Sequence, residues 1–212
     1  MSDFQNTGHP DRDWWHALWP DPEGTLRRLG IARRDSLLDI ACGNGHFTVP
    51  AARIIDGPVY GLDLDTDLLG ELTTAAEGAG VTVHTIDTDA LALPDCLPER
   101  VTDALMANTF HGVPDGTELA RRVRESLLPG GRFAVVNWHD RPRTETTVLG
   151  EPRGPPADLR MSPGETVEAV EPAGFTAAET VELGPYHYGV VFERDGEGDG
   201  STAADPDASV DH

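Results

Sequence analysis

The chain has 212 residues, 38% of them hydrophobic, with 16 basic and 37 acidic side chains and a net charge of −21. That length and apolar share suit one domain with a real core. The charge disfavours a nucleic-acid backbone or an anionic membrane as partner.

Residues 1–12 are polar and read as a flexible N-terminus. Asp21 is placed as an N-cap with Pro22 at the first helical position, so a helix is expected through Leu26 and Leu29. A strand follows at Ser36–Ala41, and then a helix from Gly45 to Ile55 whose Pro50 lies near its start. Further strands are expected at Pro58–Leu64, Val81–Asp87 and Thr102–Thr109, with a helix over Asp67–Glu77. Asp115 and Glu118 have capping-box spacing, and Pro129-Gly130-Gly131 is expected to stop the helix they open. GRFAVVNW reads as a buried strand, and His139–Arg160 as a Pro- and Arg-rich connector. Ser162 and Glu165 form a second capping box, and the last two strands, FTAAETVEL and YHYGVVFER, should pair antiparallel across a short link. From Asp195 on, six acids without a base read as a disordered acidic tail. Residues 13–194 form the expected domain.

Every basic residue is arginine. In molar salt the Debye length falls to ~3 Å, so an acidic, lysine-free surface suits a high-salt cytoplasm. An acidic face for a basic partner is the competing reading. Two cysteines, Cys42 and Cys96, make no disulfide framework, and no apolar run approaches the ~20 residues of a membrane span. With no charged and apolar leader at the N-terminus, a cytoplasmic location is expected.

Alternating strands and helices with near-continuous apolar strands give an α/β fold, a parallel sheet covered on both faces. Ligands of such sheets bind at the carboxyl ends of the strands. The first strand ends there on LLDIACGNGHFT, where Asp39 precedes Gly43-Asn44-Gly45. The glycines permit positive φ and close approach to the backbone, and the following helix offers free amides. Asp63 ends the second strand eighteen residues after Gly45, where a carboxylate accepts ribose hydroxyls. A dinucleotide fingerprint needs Gly or Ala where Thr48 stands, and Asp39 sits badly beside a pyrophosphate but well beside an ammonium. The pattern points to a nucleoside carrying a sulfonium and an amino acid.

DIACGNGHFT, VYGLDLD, IDTDALALP, NTFHGVPD and LLPGGRFAVVNW, in that order, resemble the motifs of class I S-adenosylmethionine-dependent methyltransferases. The resemblance covers about Leu37 to Phe192, with Asp13–Gly30 as an N-terminal lid. It implies a Rossmann-like three-layer sandwich with a seven-stranded, mostly parallel sheet, the last strand antiparallel. It also implies S-adenosyl-L-methionine as cofactor. Asp39 would sit near the methionine amino group, beside Ala41, Gly43 and Gly45 of the loop; Asp63 would hold the ribose. Leu64 would pack on adenine, Asp89 accept from its amino group, Ala90 present its backbone, and Asn108 lie by the methionine part. Asp87 competes with Asp89, which as a loop cap would be purely structural.

For the acceptor, His111 is a candidate base, with packing or capping of the next helix as the alternative, and His139, just after the fifth strand, is a second. The connector holds Arg141, Arg143, Arg153 and Arg160, of which Arg141 and Arg160 are taken as substrate contacts; solvated loop charges are the other reading. Trp15, with Trp14, Trp19 and His16, is read as an aromatic lid or as packing, and Tyr186 as lining the acceptor pocket. No His or Cys spacing suggests a metal. A small-molecule substrate is expected, with no nucleic acid and no membrane, and the chain as a monomer or homodimer. A nicotinamide-dependent oxidoreductase and a non-catalytic cofactor binder remain the alternatives.

Overall fold

The structure is a computed structural model that describes residues 10–32 and 36–196. The expected flexible start, 1–12, and disordered tail, 195–212, lie outside the described residues except for 10–12, where Arg12 already opens a helix, and 195–196, where the Asp195 amide donates to the Gly174 carbonyl.

Two short helices open the described chain, α1 (Arg12–Leu18) and α2 (Pro22–Arg28). Asp21 caps α2 by accepting from the Gly24 amide, as its placement before Pro22 requires. Then come β1 (Leu37–Ile40), α3 (Thr48–Ile54), β2 (Val59–Asp63), α4 (Thr66–Ala79), β3 (His84–Asp87), β4 (Val101–Ala107), α5 (Gly116–Ser126) and β5 (Leu127–Trp138). The connector carries a small hairpin, β6 (Thr147–Val148) and β7 (Glu151–Pro152). Helix α6 (Pro163–Val170), β8 (Phe175–Leu183) and β9 (His187–Arg194) complete the fold.

Seven strands form one sheet in the order β3-β2-β1-β4-β5-β9-β8. β1 to β5 are parallel neighbours, while β9 inserts between β5 and β8 and runs antiparallel to both. The expected fold class holds, including the antiparallel last strand. The chain leaves β1 toward β2 and β3 on one side and returns to β4 on the other, which opens a crevice at their carboxyl ends.

Period-two alternation sorts the strand side chains onto two faces. Leu38 and Ile40 of β1 face a core shared with α5 and α6, including Leu119, Val123 and Val170. Leu37 faces the other core, with Trp14, Leu26 and Ala51 of α1, α2 and α3. Asp39, between them in sequence, therefore points toward α3.

Three element boundaries differ from expectation. Helix α3 starts at Thr48 because residues 43–47 are spent on the turn, with Gly43 and Gly45 both at positive φ. Strand β3 starts at His84, three residues late. Pro129-Gly130-Gly131 does not end a helix: α5 already ends at Ser126, and the three residues bulge out of β5 where Val101 pairs with Leu127 but Asp103 with Arg132. The Ser162–Glu165 capping box is complete. At Asp115 only half of one forms, since the Glu118 carboxylate turns to Arg121 and Arg122.

Gly45 adopts φ +87°, and a β-carbon there would collide with Leu72 Cδ1 on α4. Gly45→Ala is therefore expected to cost about 2–4 kcal/mol through backbone strain and overpacking, read as a lower urea midpoint at unchanged slope.

Candidate active site

The crevice holds a cavity of about 990 Å³, at the upper end of small-molecule pockets. Its wall follows the strand order. On the β3-β2-β1 side stand four carboxylates: Asp89 after β3, Asp63 and Asp65 at and just past the end of β2, and Asp39 in β1. The middle, after β4, brings Asn108 and His111. On the β5 side are Trp138 and, from the connector, Arg143 and Arg153. Trp14 and Trp15 of α1 also contribute to the wall.

Asp63 shapes the loop. One carboxylate oxygen accepts from the Gly43 amide at 2.8 Å and the other from the Asp65 amide at 3.0 Å. Asp39 is buried, and its Oδ2 accepts from the Thr48 hydroxyl at 2.6 Å. Burial pushes its pKa up to about 7; the Thr48 hydrogen bond pulls it down, and the nearby Asp63 charge adds to the rise. Burial likewise pushes the Cys42 thiol far up, away from the thiolate a nucleophile needs.

Ala41 and Asn108, just past β1 and β4, adopt positive φ of 55° and 64°. Strained backbone at both rims of a crevice marks a functional segment. The Asn108 side-chain amide is buried and has no hydrogen-bond partner among the described residues, a polar group of the kind a ligand satisfies. Burial drops the His111 pKa to about 4, an effect that Asn137 offsets in part and the Arg160 charge reinforces, so its imidazole is neutral near pH 7.

The structure brings Asp39, Ala41, Gly43, Asp63, Leu64, Asp89, Ala90, Asn108, His111 and Trp15 to this wall. Asp89 does act as a cap, accepting from the Leu91 amide, yet it also lines the cavity where Asp87 does not. Other candidates lie elsewhere. Gly45 is behind the wall, against α4. His139 lies off the cavity, with its Nε2 2.9 Å from the Glu182 carboxylate. Tyr186 stacks on Trp138 and donates to the Thr147 carbonyl. Arg141 is exposed and off the wall, and Arg160 is buried beneath the connector, donating to Pro155 and Arg153 carbonyls and to the Thr146 hydroxyl. The arginines at the cavity are Arg143 and Arg153, which the sequence could not single out because the connector has no periodicity.

Helix α1 reaches across to the acidic side. Arg12 of α1 pairs with Glu71 of α4 at 2.7 Å, and the same carboxylate oxygen accepts from the Asn44 amide of the glycine loop at 3.3 Å. Trp15 lies 5.9 Å from the His46 ring, centroid to centroid.

Comparison with known proteins bears on this arrangement. Residues 37–131 match the family model described as a methyltransferase domain. A 27-O-demethylrifamycin SV methyltransferase of Amycolatopsis mediterranei is 29% identical over 138 residues, covering 58% of this chain and 50% of the relative. A trans-aconitate 2-methyltransferase of Mycobacterium tuberculosis is 30% identical over 130 residues, covering 61% and 44%. These findings support a methyltransferase domain over residues 37–131. The chain spans about half the length of these curated relatives. A methyltransferase of Aquifex aeolicus, described as S-adenosylmethionine-dependent, superposes with a TM-score of 0.73 at 22% identity over 86% of this chain and 93% of that one, a match of fold.

Thr48 supplies the hydrogen bond that holds the Asp39 carboxyl down. Thr48→Val is expected to move the Asp39 titration above about 7, read by carboxyl-carbon NMR across pH.

Proposed function

We propose that the chain is an S-adenosylmethionine-dependent methyltransferase that acts on a small molecule. The observation that carries this is the row of carboxylates at the ends of neighbouring strands, with Asp39 buried beside the glycine turn. A buried carboxylate with a raised pKa suits a cationic ligand group, and the unpartnered Asn108 amide suits a polar one. A pyrophosphate would face the Asp39 charge, which speaks against a nicotinamide dinucleotide. The match to a methyltransferase domain and the names of the relatives support the same reading, including a small-molecule acceptor.

The cofactor supplies an electrophilic methyl group on a sulfonium. In this reading Asp39 balances its ammonium, Asp63 accepts the ribose hydroxyls, and Asp89 and the Ala90 backbone meet the adenine edge. Leu64, 56% exposed, gives adenine an apolar face. Gly43 lets the ligand approach the loop, while Ala41 and Asn108 flank the methionine part. Trp14, Trp15 and Trp138 exclude water from the line between methyl and acceptor. His111, with a pKa near 4, is better suited to accept a hydrogen bond from an acceptor O–H or N–H than to carry its proton. The acidic, lysine-free composition supports a chain suited to high salt and to the cytoplasm.

Calorimetric titration in molar KCl tests the reading. S-adenosylhomocysteine is expected to bind and NADH not, and Asp63→Ala is expected to weaken the former by about a hundredfold, the worth of two hydrogen bonds to a charged group. No binding of S-adenosylhomocysteine to the folded protein would end the proposal. A pH series adds an independent check. Because folding raises the Asp39 pKa from 3.8 to about 7, its neutral form favours the fold, a contribution lost as pH rises from about 4 to 7. An ammonium bound there favours the carboxylate. Affinity for S-adenosylhomocysteine is therefore expected to fall below pH 7 by up to about tenfold per unit, with proton release seen by calorimetry in buffers of different ionisation heat.

A further inference from the structure

The cavity's charge reverses along the strand order. Its β3-β2-β1 side is acidic, whereas its β5 side carries Arg143 and Arg153. Behind them lies Arg160, close enough to Arg143 that this charge, after burial, lowers its pKa. Three guanidinium groups thus gather in a protein of net charge −21. Among the described residues none of the three forms an ion pair with a carboxylate. Of the acids on the cavity wall beyond β4, Asp115 caps α5 and Glu118 holds Arg121 and Arg122, while the connector acids Glu145, Glu151 and Asp158 form no ion pair with the three arginines among the described residues. Asp11, just before α1, makes no ion pair with any of the three.

The cluster is built rather than splayed in solvent. The Arg153 guanidinium lies 5.2 Å over the Trp14 ring, and that of Arg160 5.1 Å over Trp138. Thr146, fully buried, ties the connector together: its hydroxyl lies within reach of the Arg153 and Arg143 carbonyls, at 2.8 and 3.0 Å, with one proton to share between them, and accepts from Arg160. Arg153 Nε and Arg160 Nη1 are buried without a hydrogen-bond partner among the described residues. Keeping buried, like-charged donors unsatisfied is costly unless a ligand completes them.

We infer that the acceptor of this methyltransferase carries a carboxylate or phosphate group, held by Arg143 and Arg153 at the β5 side of the cavity. The inference rests on the reading of the acidic side as the cofactor's place. A planar guanidinium presents paired N–H donors to an oxyanion, and the tryptophan beneath Arg153 limits its freedom before binding. Arg160 is a positioning residue that holds the Arg153 carbonyl and repels a further cation. The two charged sides also give the cavity polarity: the cation-bearing cofactor is drawn to one end and the anionic acceptor to the other.

The test uses the full chain saturated with S-adenosylhomocysteine and titrated with succinate, inorganic phosphate and neutral succinamide at one KCl concentration. Failure of S-adenosylhomocysteine to bind would reject the methyltransferase reading itself, before any acceptor question. With it bound, succinate or phosphate is expected to bind about ten- to a hundredfold more tightly than succinamide, the range of one charge-assisted hydrogen bond. Whichever anion binds tighter names the group. Arg143→Gln and Arg153→Gln are each expected to lower anion affinity at least about tenfold with S-adenosylhomocysteine affinity unchanged. Arg153→Lys, which keeps the charge but loses the fork, should fall between. Equal behaviour of the three probes, binding or not, would overturn the inference. So would an anion affinity untouched in both glutamine variants, provided that their thermal melting matches the parent.

Discussion

The Asp63 carboxylate holds two backbone amides from different loops, those of Gly43 after β1 and Asp65 after β2. Hydrogen bonds to a charged acceptor are the stronger kind, and this pair ties the ends of neighbouring strands into one rim. The turn it braces places Thr48 at the first position of α3, where its hydroxyl meets Asp39. Two acids, one glycine turn and one threonine therefore form a connected unit. The remainder of the cavity is arranged around it by the parallel sheet, since each further strand delivers its own segment to the same edge.

That sheet explains why fold and half of the site were legible in the sequence. Apolar runs ending on an acid or a glycine report parallel strands and their carboxyl ends directly, because the strand itself aims those residues at the crevice. Asp39, Gly43, Asp63 and Asn108 sit at such ends, and Asp89 follows β3 within two residues. Gly45 shows the limit even there. Its type was required, but by a neighbouring leucine and a left-handed backbone rather than by the cavity.

The arginine-bearing side of the cavity was not legible for the converse reason. Its residues come from a connector whose path is set by single contacts, such as the Thr146 hydrogen bonds and the short β6–β7 hairpin. No periodicity distinguishes Arg143 from Arg141, or Arg153 from Arg160, yet the first of each pair reaches the cavity and the second does not. His139 was equally close to a strand end, but the antiparallel β8–β9 pair offers it Glu182. Long-range partners of this sort have no local signature.

Arg12 and Asn44 share one oxygen of Glu71, so the helix over the cavity and the loop beneath it are fastened at a single point. Both partners of the ion pair are largely exposed, and such pairs are worth at most about 1 kcal/mol and weaken with salt. A fastening that slight does nothing for the fold as a whole. It joins helix to loop at one salt-sensitive point, so rising ionic strength is expected to loosen that joint while leaving the sheet and its cores intact.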